Sequence, residues 1–473
     1  MAPQSEPFSS KGVRTEDRTE NNKTAVDENE QKQLPKVPEF VLTEIRTLEG
    51  VSYYHGMVAR DVVESKLARC GDYLVRATDH RIAAFEFILG DIEAKRWHLG
   101  IFPTNKFPSV IDLVNFFKAN PIGVDFYLKR AISKAKHLIS HDRIKYNPKT
   151  DLLGSGNFSD VFIGQMELEN GSVKVALKNS KKLNDLLDPE KNKEASKAKK
   201  EMIQEAEVMS QLRHANITAL FGMSTDRLPI LIVIEFCIGG TLLGHIKKHG
   251  ANISHQERMI YIHDTSAGLK YIHSMSITHR DIAARNCLIS VNGFVKLSDF
   301  GMGLKIGQSV SSTNLPYRWM APELFQARAK FSKASDVWAL GILIYEIFSN
   351  ATRPFFDVED DEVRALVKSG KHPPIPPSVG QFMTQIMEQV FKLSATDRIT
   401  GELFHNKVHA HCVENNLLKF QDLTLNKIEG VHRERSEHWD EYVPQVITLD
   451  KNGNEKGWGN APEEMLANVV WRK

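Results

Sequence analysis

The chain has few cysteines, little net charge and no long apolar run. Its four cysteines, Cys70, Cys237, Cys287 and Cys412, are widely spaced and form no CxxC pair. This pattern predicts neither a disulfide framework nor a zinc ribbon, and it favours a reducing, cytoplasmic location. A formal net charge of +2 provides no field that would draw the whole chain to nucleic acid, so we expect no such partner.

The same scarcity argues against attachment to a membrane. The opening stretch "MAPQSEPFSS" has no apolar core of a signal peptide, and Ala2 excludes N-myristoylation. Apolar runs such as "LPILIVIEF" are too short to span a bilayer. We therefore expect no intrinsic membrane segment, and the composition does not indicate an oligomeric state.

Composition changes along the chain and divides it into four regions. Residues 1–50 are predicted to be a disordered N-terminal tail, because polar residues dominate them. Short apolar strands and amphipathic helices predict a small domain over residues 51–140 and a larger one over residues 147–415. Residues 416–473 show no clear periodicity and are interpreted as a C-terminal tail.

A glycine-rich stretch, "LLGSGNFSDVFIG", opens the larger region. Gly154 and Gly156 let a hairpin backbone approach a triphosphate without a Cβ clash, and the aliphatic Val161 can cover a purine. Ser159 replaces the third glycine of the GxGxxG pattern, so this stretch alone is equally typical of a structural turn.

Three further motifs supply charged groups in chain order. Lys178 ends the apolar strand "VKVALK" and can grip phosphates, with Glu205 of the following helix as its ion-pair partner. In "THRDIAARNCLI", Asp281 can accept the proton of an incoming hydroxyl and Asn286 can bind a metal ion. Asp299 of "VKLSDFG" supplies a carboxylate to the same metal.

This ordered set resembles the protein kinase family, which implies an α+β, bilobal kinase fold with ATP and Mg²⁺ in the cleft, Mn²⁺ being the alternative ion. The resemblance implies a hinge at "IEFC", where backbone groups of Glu235 and Cys237 bond the adenine. The nucleotide-binding residues that it implies are Leu153, Gly154, Ser155, Gly156, Asn157, Phe158, Ser159, Val161, Ala176, Lys178, Glu235, Cys237 and Leu288.

Two stretches indicate which hydroxyl is modified. Serine and threonine kinases carry a lysine two residues after the catalytic aspartate, where this chain has Ala283. "HRDIAARN" and "LPYRWMAPE" are similar instead to the cytoplasmic tyrosine kinases, in which the arginine at the position of Arg285 lies near the acceptor and the phosphate. The resemblance therefore implies phosphorylation of tyrosine-containing proteins.

The smaller region resembles an SH2 (Src-homology 2) domain, a central antiparallel sheet flanked by two helices that binds phosphotyrosine. In "YYHGMVARDVVESKLARCGDYLVRATD", Arg76 ends the strand "YLVR", and its planar fork can hold a phosphate dianion. Arg60 on the first helix and Thr78 after the strand match further phosphate contacts. The resemblance implies tyrosine-phosphorylated proteins as partners; an exposed arginine at a strand end is the alternative for Arg76.

The order of the two domains and the linker "YLKRAISKAKHLI" are similar to the Fes/Fer group of non-receptor tyrosine kinases. Three functions remain open: an active tyrosine kinase, a weakly active or inactive pseudokinase that acts as a phosphotyrosine-binding scaffold, and a serine or threonine kinase. The presence of Lys178, Glu205, Asp281, Asn286 and Asp299 favours the first.

One histidine-rich stretch lies outside these motifs. "HNKVHAHC" places His405 and His409 one helical turn apart, with His411 and Cys412 nearby. This spacing can bind zinc, although surface histidines at the end of a last kinase helix are the simpler interpretation.

Overall fold

The computed structural model describes residues 39–57, 67, 69–70, 72–77, 84–85, 88–91, 94–134, 137–156, 159–181, 192–302, 304–305, 316–326, 329–431 and 443–466. These residues all belong to one compact unit, Val37–Lys473. No helix within the described part of the chain is long and apolar enough to cross a membrane.

The N-terminal region, residues 39–134, combines two helices with short strands. Three of the strands form an antiparallel sheet in the order β2–β3–β4, and β1 pairs in parallel with β5. The elements are α1 (Glu39–Glu49), β1 (Asp72–Tyr73), β2 (Ala84–Phe85), β3 (Ile88–Asp91), β4 (Arg96–Leu99), α2 (Val110–Ala119) and β5 (Arg130–Ala131).

Helix α1 lies inside the segment 1–50, for which the sequence predicts disorder, so regular structure begins before residue 51. Val41 and Leu48 on its inner face are buried, and the ring of Phe40 lies 5.4 Å from that of Trp97. This apolar stripe is short and follows a long polar tail, which is why composition averaged over the whole segment does not predict it.

An antiparallel sheet of eight strands forms the N-terminal lobe of the larger region, with helix α3 (Asn192–Met209) as its neighbour. Its strand order is β10–β11–β9–β16–β17, and β8 pairs with β6, β7 and β9. The strands are β6 (Ile144–Lys145), β7 (Leu152–Ser155), β8 (Ser159–Leu168), β9 (Gly171–Ser180), β10 (Leu220–Ser224), β11 (Leu231–Glu235), β16 (Gln445–Leu449) and β17 (Glu455–Asn460).

The C-terminal lobe is mainly helical, and α5 and α6 are buried along most of their length. Together with the sheet of the other lobe, it confirms the α+β, bilobal fold for the kinase region. Its elements are α4 (Leu242–His249), α5 (His255–Ser274), β12 (Ile277–Thr278), β13 (Cys287–Ile289), β14 (Val295–Leu297), β15 (Leu304–Lys305), α6 (Lys333–Phe348), α7 (Asp360–Lys368), α8 (Gly380–Val390) and α9 (Gly401–Glu414).

Part of the segment 416–473 adds to the sheet of the N-terminal lobe. Strand β16 pairs with β9, with Thr448 opposite Val173, and β17 completes a hairpin. A short helix, α10 (Glu463–Leu466), then buries Met465 in the same apolar cluster as Val173. The regular structure of this segment depends on its pairing with β9, which lies far earlier in the chain. Local periodicity therefore does not predict it.

Ion pairs hold the same tail segment to the lobe. Arg143 pairs with Glu464, whose Oε2 accepts a hydrogen bond from the backbone N–H of Glu169 at 3.0 Å. Lys174 of β9 pairs with Glu455 of β17. These contacts join both ends of the hairpin and helix to the N-terminal lobe.

The N-terminal region contacts the turn after β10. Met57 N–H donates a hydrogen bond to Thr225 O at 2.7 Å, and Tyr54 Oη donates to Asp226 O at 3.1 Å. Gly56 has a φ of +62°, and a Cβ there would lie 2.4 Å from Thr225 O. Only glycine therefore fits this contact without a backbone shift.

We expect Met465→Ala to lower the free energy of unfolding by about 2 to 4 kcal/mol, because it leaves a cavity in a closed apolar cluster. Urea denaturation measures this change. Met275→Ala is the matched control, since the Met275 side chain is 38% exposed while Met465 is fully buried. An equal loss of stability in both variants would contradict the docking of the tail.

Candidate active site

A buried ammonium group lies between two carboxylates where the sheet of the N-terminal lobe meets α3. Nζ of Lys178 lies 2.6 and 2.8 Å from the two carboxylate oxygens of Glu205 and 2.7 Å from Oδ1 of Asp299. Burial alone would lower the pKa of Lys178, but the charges of Asp299 and Glu205 outweigh that effect and raise it. Lys178 is therefore charged, and its contacts join its own strand to α3 and to the segment that carries Asp299.

The glycine-rich turn connects β7 to β8 above this ammonium. Gly154 lies opposite Val161 in the antiparallel ladder, and Gly156 N–H donates to Ser159 O at 2.8 Å. Among the described residues, no atom lies within 4 Å of a Cβ built at Gly154. The packing of those residues therefore gives no reason for glycine at this position.

The other residues of the turn that the sequence predicts to bind the nucleotide differ in exposure and in contacts. Leu153 is half exposed, and Ser155 Oγ accepts a hydrogen bond from Nζ of Lys181 at 2.6 Å. Asn157 and Phe158 lie outside the described residues. The sequence did not single out Lys181, which also donates to a backbone oxygen of the turn.

The predicted adenine-binding residues lie on β9, on β13 and at the end of β11. Ala176 is buried, and Leu288 is half-buried on β13. The carboxylate of Glu235 turns inward and lies 3.0 Å from Nζ of Lys296, with both side chains buried. Cys237 is also buried, and burial raises the pKa of its thiol. The side chain of Glu235 is therefore committed to the interior, and its backbone N–H donates to Ala219 O at 2.9 Å.

The loop after β12 brings three predicted residues together. Nδ2 of Asn286 donates to Oδ2 of Asp281 at 2.7 Å, and Arg285 pairs with the other oxygen of that carboxylate. Burial raises the pKa of Asp281, and the guanidinium of Arg285 opposes this shift. Ser298 N–H donates to Asn286 O at 2.9 Å, which places Asn286 beside the strand that leads to Asp299.

A carboxylate of α6 that the sequence did not single out supports this loop. Oε2 of Glu346 accepts hydrogen bonds from Ala284 N–H at 2.9 Å and from Nε1 of Trp319 at 3.1 Å. The guanidinium carbon of Arg285 lies 4.4 Å from the centre of the Trp319 ring. Glu346 thus joins the loop to the "LPYRWMAPE" stretch through a buried group.

A second carboxylate of α6 holds the start of the same loop. Asp336 accepts hydrogen bonds from His279 N–H at 2.8 Å and from Arg280 N–H at 2.9 Å. Arg280 has a φ of +72°, an uncommon value for a residue with a Cβ. The motif "SDVWALG" contains Asp336, but only the fold shows that it binds backbone donors 56 and 57 residues away.

The stretch around "YRWMAPE" is fixed to the C-terminal lobe. Arg318 is buried and donates hydrogen bonds to Pro354 O at 2.8 Å and Phe355 O at 2.6 Å. Arg398 makes two parallel hydrogen bonds to the carboxylate of Glu323, at 2.7 and 2.8 Å. These bonds hold both ends of the stretch in place beside Trp319.

Of the predicted phosphotyrosine-binding residues, Arg76 alone lies within the described residues. It follows β1 on a segment that pairs in parallel with Tyr54, and it is half-buried. Its Nη1 lies 3.5 Å from Ala77 O. Arg60 and Thr78 fall outside the described residues.

The buried Lys178 with its two carboxylates, the loop carrying Asp281, and the glycine-rich turn define a class of protein. The sequence profile of the protein tyrosine and serine/threonine kinase family matches residues 149–408. The chain belongs to this family, and within it is a protein tyrosine kinase similar to the non-receptor Fes/Fer group.

Individual relatives support the assignment of the chain as a tyrosine kinase. Fer-related kinase 1 of Caenorhabditis elegans is 31% identical over 346 residues, which are 69% of this chain and 84% of that protein. The tyrosine-protein kinase transforming protein Fps of avian sarcoma virus (strain PRCII) is 27% identical over 80% of this chain and 70% of its own length. Human tyrosine-protein kinase Fer is 28% identical over 75% of this chain and 43% of its own length.

The stability of this site should depend on the protonation of Glu346, because burial raises its pKa from 4.5 to about 7. The folded state then binds the proton more tightly than the unfolded chain. The contribution of Glu346 to the free energy of unfolding is fully present below about pH 4.5 and is lost as the pH rises through 7. This contribution is about 3 kcal/mol at most.

We expect Glu346→Gln to remove this part of the pH dependence, because the amide keeps an acceptor oxygen and does not ionise. Urea denaturation between pH 5 and 8 measures it. Glu402→Gln, at an exposed position on α9, should leave the slope unchanged. The same slope in Glu346→Gln and in the unchanged chain would contradict the assignment.

Proposed function

We propose that this tyrosine kinase transfers the γ-phosphoryl group of ATP to tyrosine hydroxyls of proteins, with Asp281 as the general base. The observation that carries this proposal is the bonding of Lys178 to both Glu205 and Asp299, which connects the phosphate-gripping ammonium to the metal-binding carboxylate. This arrangement is the one that phosphoryl transfer requires in protein kinases.

The glycine-rich turn supports a nucleotide in the cleft. No atom of the described part of the chain lies within 4 Å of a Cβ built at Gly154, so the space there suits the phosphates of a ligand. Ala176 and Leu288 supply apolar surfaces for the adenine. After β11, the backbone carbonyl of Glu235 and the backbone N–H of Cys237 are the groups to which a base edge can bond.

Asn286 and Asp299 are the residues that would hold a divalent ion. Both supply oxygen ligands, which Mg²⁺ prefers, and Mn²⁺ accepts the same set. The carboxylate of Asp299 is 49% exposed, and the ammonium of Lys178 lowers its pKa, so it is ionised and accessible. When bound, MgATP supplies the phosphoryl group and neutralises charge between its phosphates.

The residues around Asp281 then position and deprotonate the substrate. Oδ2 of Asp281 is oriented by Asn286 at 2.7 Å, and its raised pKa makes it a stronger base for a phenol proton. Arg285, stacked on Trp319, presents its charge beside that base. Lys178 holds the phosphates from the opposite side of the cleft.

The surroundings of Asp281 also support tyrosine over serine as the acceptor. The position after Ile282 holds the fully buried Ala283 in place of a lysine. The ring of Trp319, with Arg285 above it, forms a rigid wall against which a long phenol can lie. A serine hydroxyl on the same peptide path would not reach the base.

The pseudokinase alternative is not favoured. A scaffold has no need for a buried lysine paired with two carboxylates, because buried charges are costly unless they are paired and used. Lys178, Glu205 and Asp299 nevertheless form this group with distances of 2.6 to 2.8 Å.

We expect Asp281→Asn to reduce phosphorylation of a poly-Glu/Tyr substrate by roughly 100- to 10,000-fold, because the amide cannot accept the phenol proton. The assay uses purified chain with MgATP and identifies the labelled amino acid. Asp422→Asn, at an exposed position, is the matched control and should retain full activity. Activity that survives in Asp281→Asn, or label found on serine alone, would overturn this proposal.

We further propose that residues 51–140 form an SH2 domain that binds phosphotyrosine through Arg76. Two observations support this proposal: Val75, next to Arg76, forms a parallel bridge with Tyr54, and the helix α2 follows the strands of this region in the chain. Docking of one phosphotyrosine would raise the effective concentration of neighbouring tyrosines at the kinase site.

We expect Arg76→Lys to weaken binding of a phosphotyrosine peptide by about tenfold or more, because an ammonium cannot make two parallel bonds to the phosphate. Fluorescence polarisation measures the binding. Phosphorylation of a primed protein should fall in parallel, while a short unprimed peptide is phosphorylated normally. Arg46→Lys, on the exposed face of α1, is the control. If Arg76→Lys lowered phosphorylation of the primed protein and of the unprimed peptide equally, the assignment would be contradicted.

A further inference from the structure

Three histidines meet where α5 packs against α9 in the C-terminal lobe. His263 comes from α5, and His405 and His409 come from successive turns of α9. One ring nitrogen of each can be chosen so that all three lie within 4.8 Å of one another. Nε2 of His263 lies 3.0 Å from Nδ1 of His409.

The hydroxyl of Ser266 lies between the backbone of α5 and the ring of His405. Its oxygen is 2.9 Å from His263 O and 3.0 Å from Nδ1 of His405. When the hydroxyl donates to His263 O, its oxygen can accept from Nδ1 of His405. In that tautomer the lone pair of His405 Nε2 can bind a metal.

A buried carboxylate lies behind His263. Oδ1 of Asp264 is 3.5 Å from Nδ1 of His263, and the Asp264 side chain is fully buried. At 3.5 Å this is an electrostatic contact rather than a hydrogen bond, and the nitrogen that faces His409 is Nε2. The negative charge also offsets the nearby Lys270, whose ammonium is held by Asn406 Oδ1 at 2.9 Å.

The spacing and exposure of the cluster suit a metal ion. Tetrahedral Zn²⁺ with Zn–N bonds of about 2.0 to 2.1 Å places its nitrogen ligands about 3.3 Å apart. The 3.0 Å between Nε2 of His263 and Nδ1 of His409 is close to that value, and His409 is exposed, which gives an ion a path from solvent.

We propose that His263, His405 and His409 form a three-histidine site for Zn²⁺ that links α5 to α9, with water as the fourth ligand. This set differs from the one that local spacing suggests. The ring of His411 stacks on Phe382 with a centroid distance of 3.8 Å, and Cys412 is fully buried. The third ligand comes from α5, which leads directly into β12 and the loop of Asp281.

Metal content tests the site without reference to kinase activity. The full-length, tag-free chain is saturated with Zn²⁺, dialysed against metal-free buffer and measured by mass spectrometry. We expect about one zinc per chain, and we expect its loss in His405→Ala and in His409→Ala. His411→Ala, on the same helix, should keep the metal.

Two further readouts separate a site from a folding defect. Replacement of zinc by Co²⁺ in the unchanged chain should give the intense visible absorption bands of tetrahedral cobalt. The melting temperature should rise with Zn²⁺ and fall with a chelator in the unchanged chain, and His409→Ala should fold but show no such response. No retained zinc, octahedral cobalt bands, or equal metal loss in His411→Ala would each overturn the proposal.

Discussion

The buried contact of the Lys178 ammonium with the carboxylates of Glu205 and Asp299 is the interaction on which the rest of the site depends. It joins a central strand, helix α3 and the segment after β14. A buried charge that loses its partner costs about 3 to 5 kcal/mol. The position of α3 against the sheet is therefore tied to the position of the carboxylate that faces the cleft.

Two carboxylates of α6 provide the corresponding support in the C-terminal lobe. Asp336 and Glu346 lie three helical turns apart and accept hydrogen bonds from the beginning and the middle of the same loop. The loop has little regular structure of its own, so buried acceptors on a rigid helix fix its backbone. Glu346 also accepts a hydrogen bond from Trp319. It therefore links the loop that carries Asp281 to the aromatic ring against which the substrate is proposed to lie.

The sequence predicts the kinase fold and most of the candidate site, because the relevant groups occur in short motifs whose spacing reflects local geometry. Lys178 and Glu205 pair as expected, and Asp281 and Asn286 are in direct contact. Glu346 is absent from that prediction, since its partners are 27 and 62 residues away and no local pattern marks a buried acceptor.

The same physical reason explains the other differences between sequence and structure. Helix α1 requires a partner surface around Trp97, and the hairpin of β16 and β17 requires the free edge of β9. His263 lies 146 residues from His409, so helical spacing alone finds His405 and His409 but not His263. In each case the missing information is a tertiary contact that only the folded chain supplies.

A double-mutant cycle on Lys178 and Glu205 tests the central claim most directly. The kcat/KM for phosphorylation of a tyrosine peptide is compared among the unchanged chain, Lys178→Met, Glu205→Gln and the double variant. If the two side chains act as one unit, the double variant is hardly slower than the slower single variant. Losses that multiply, as for two independent groups, would contradict the account.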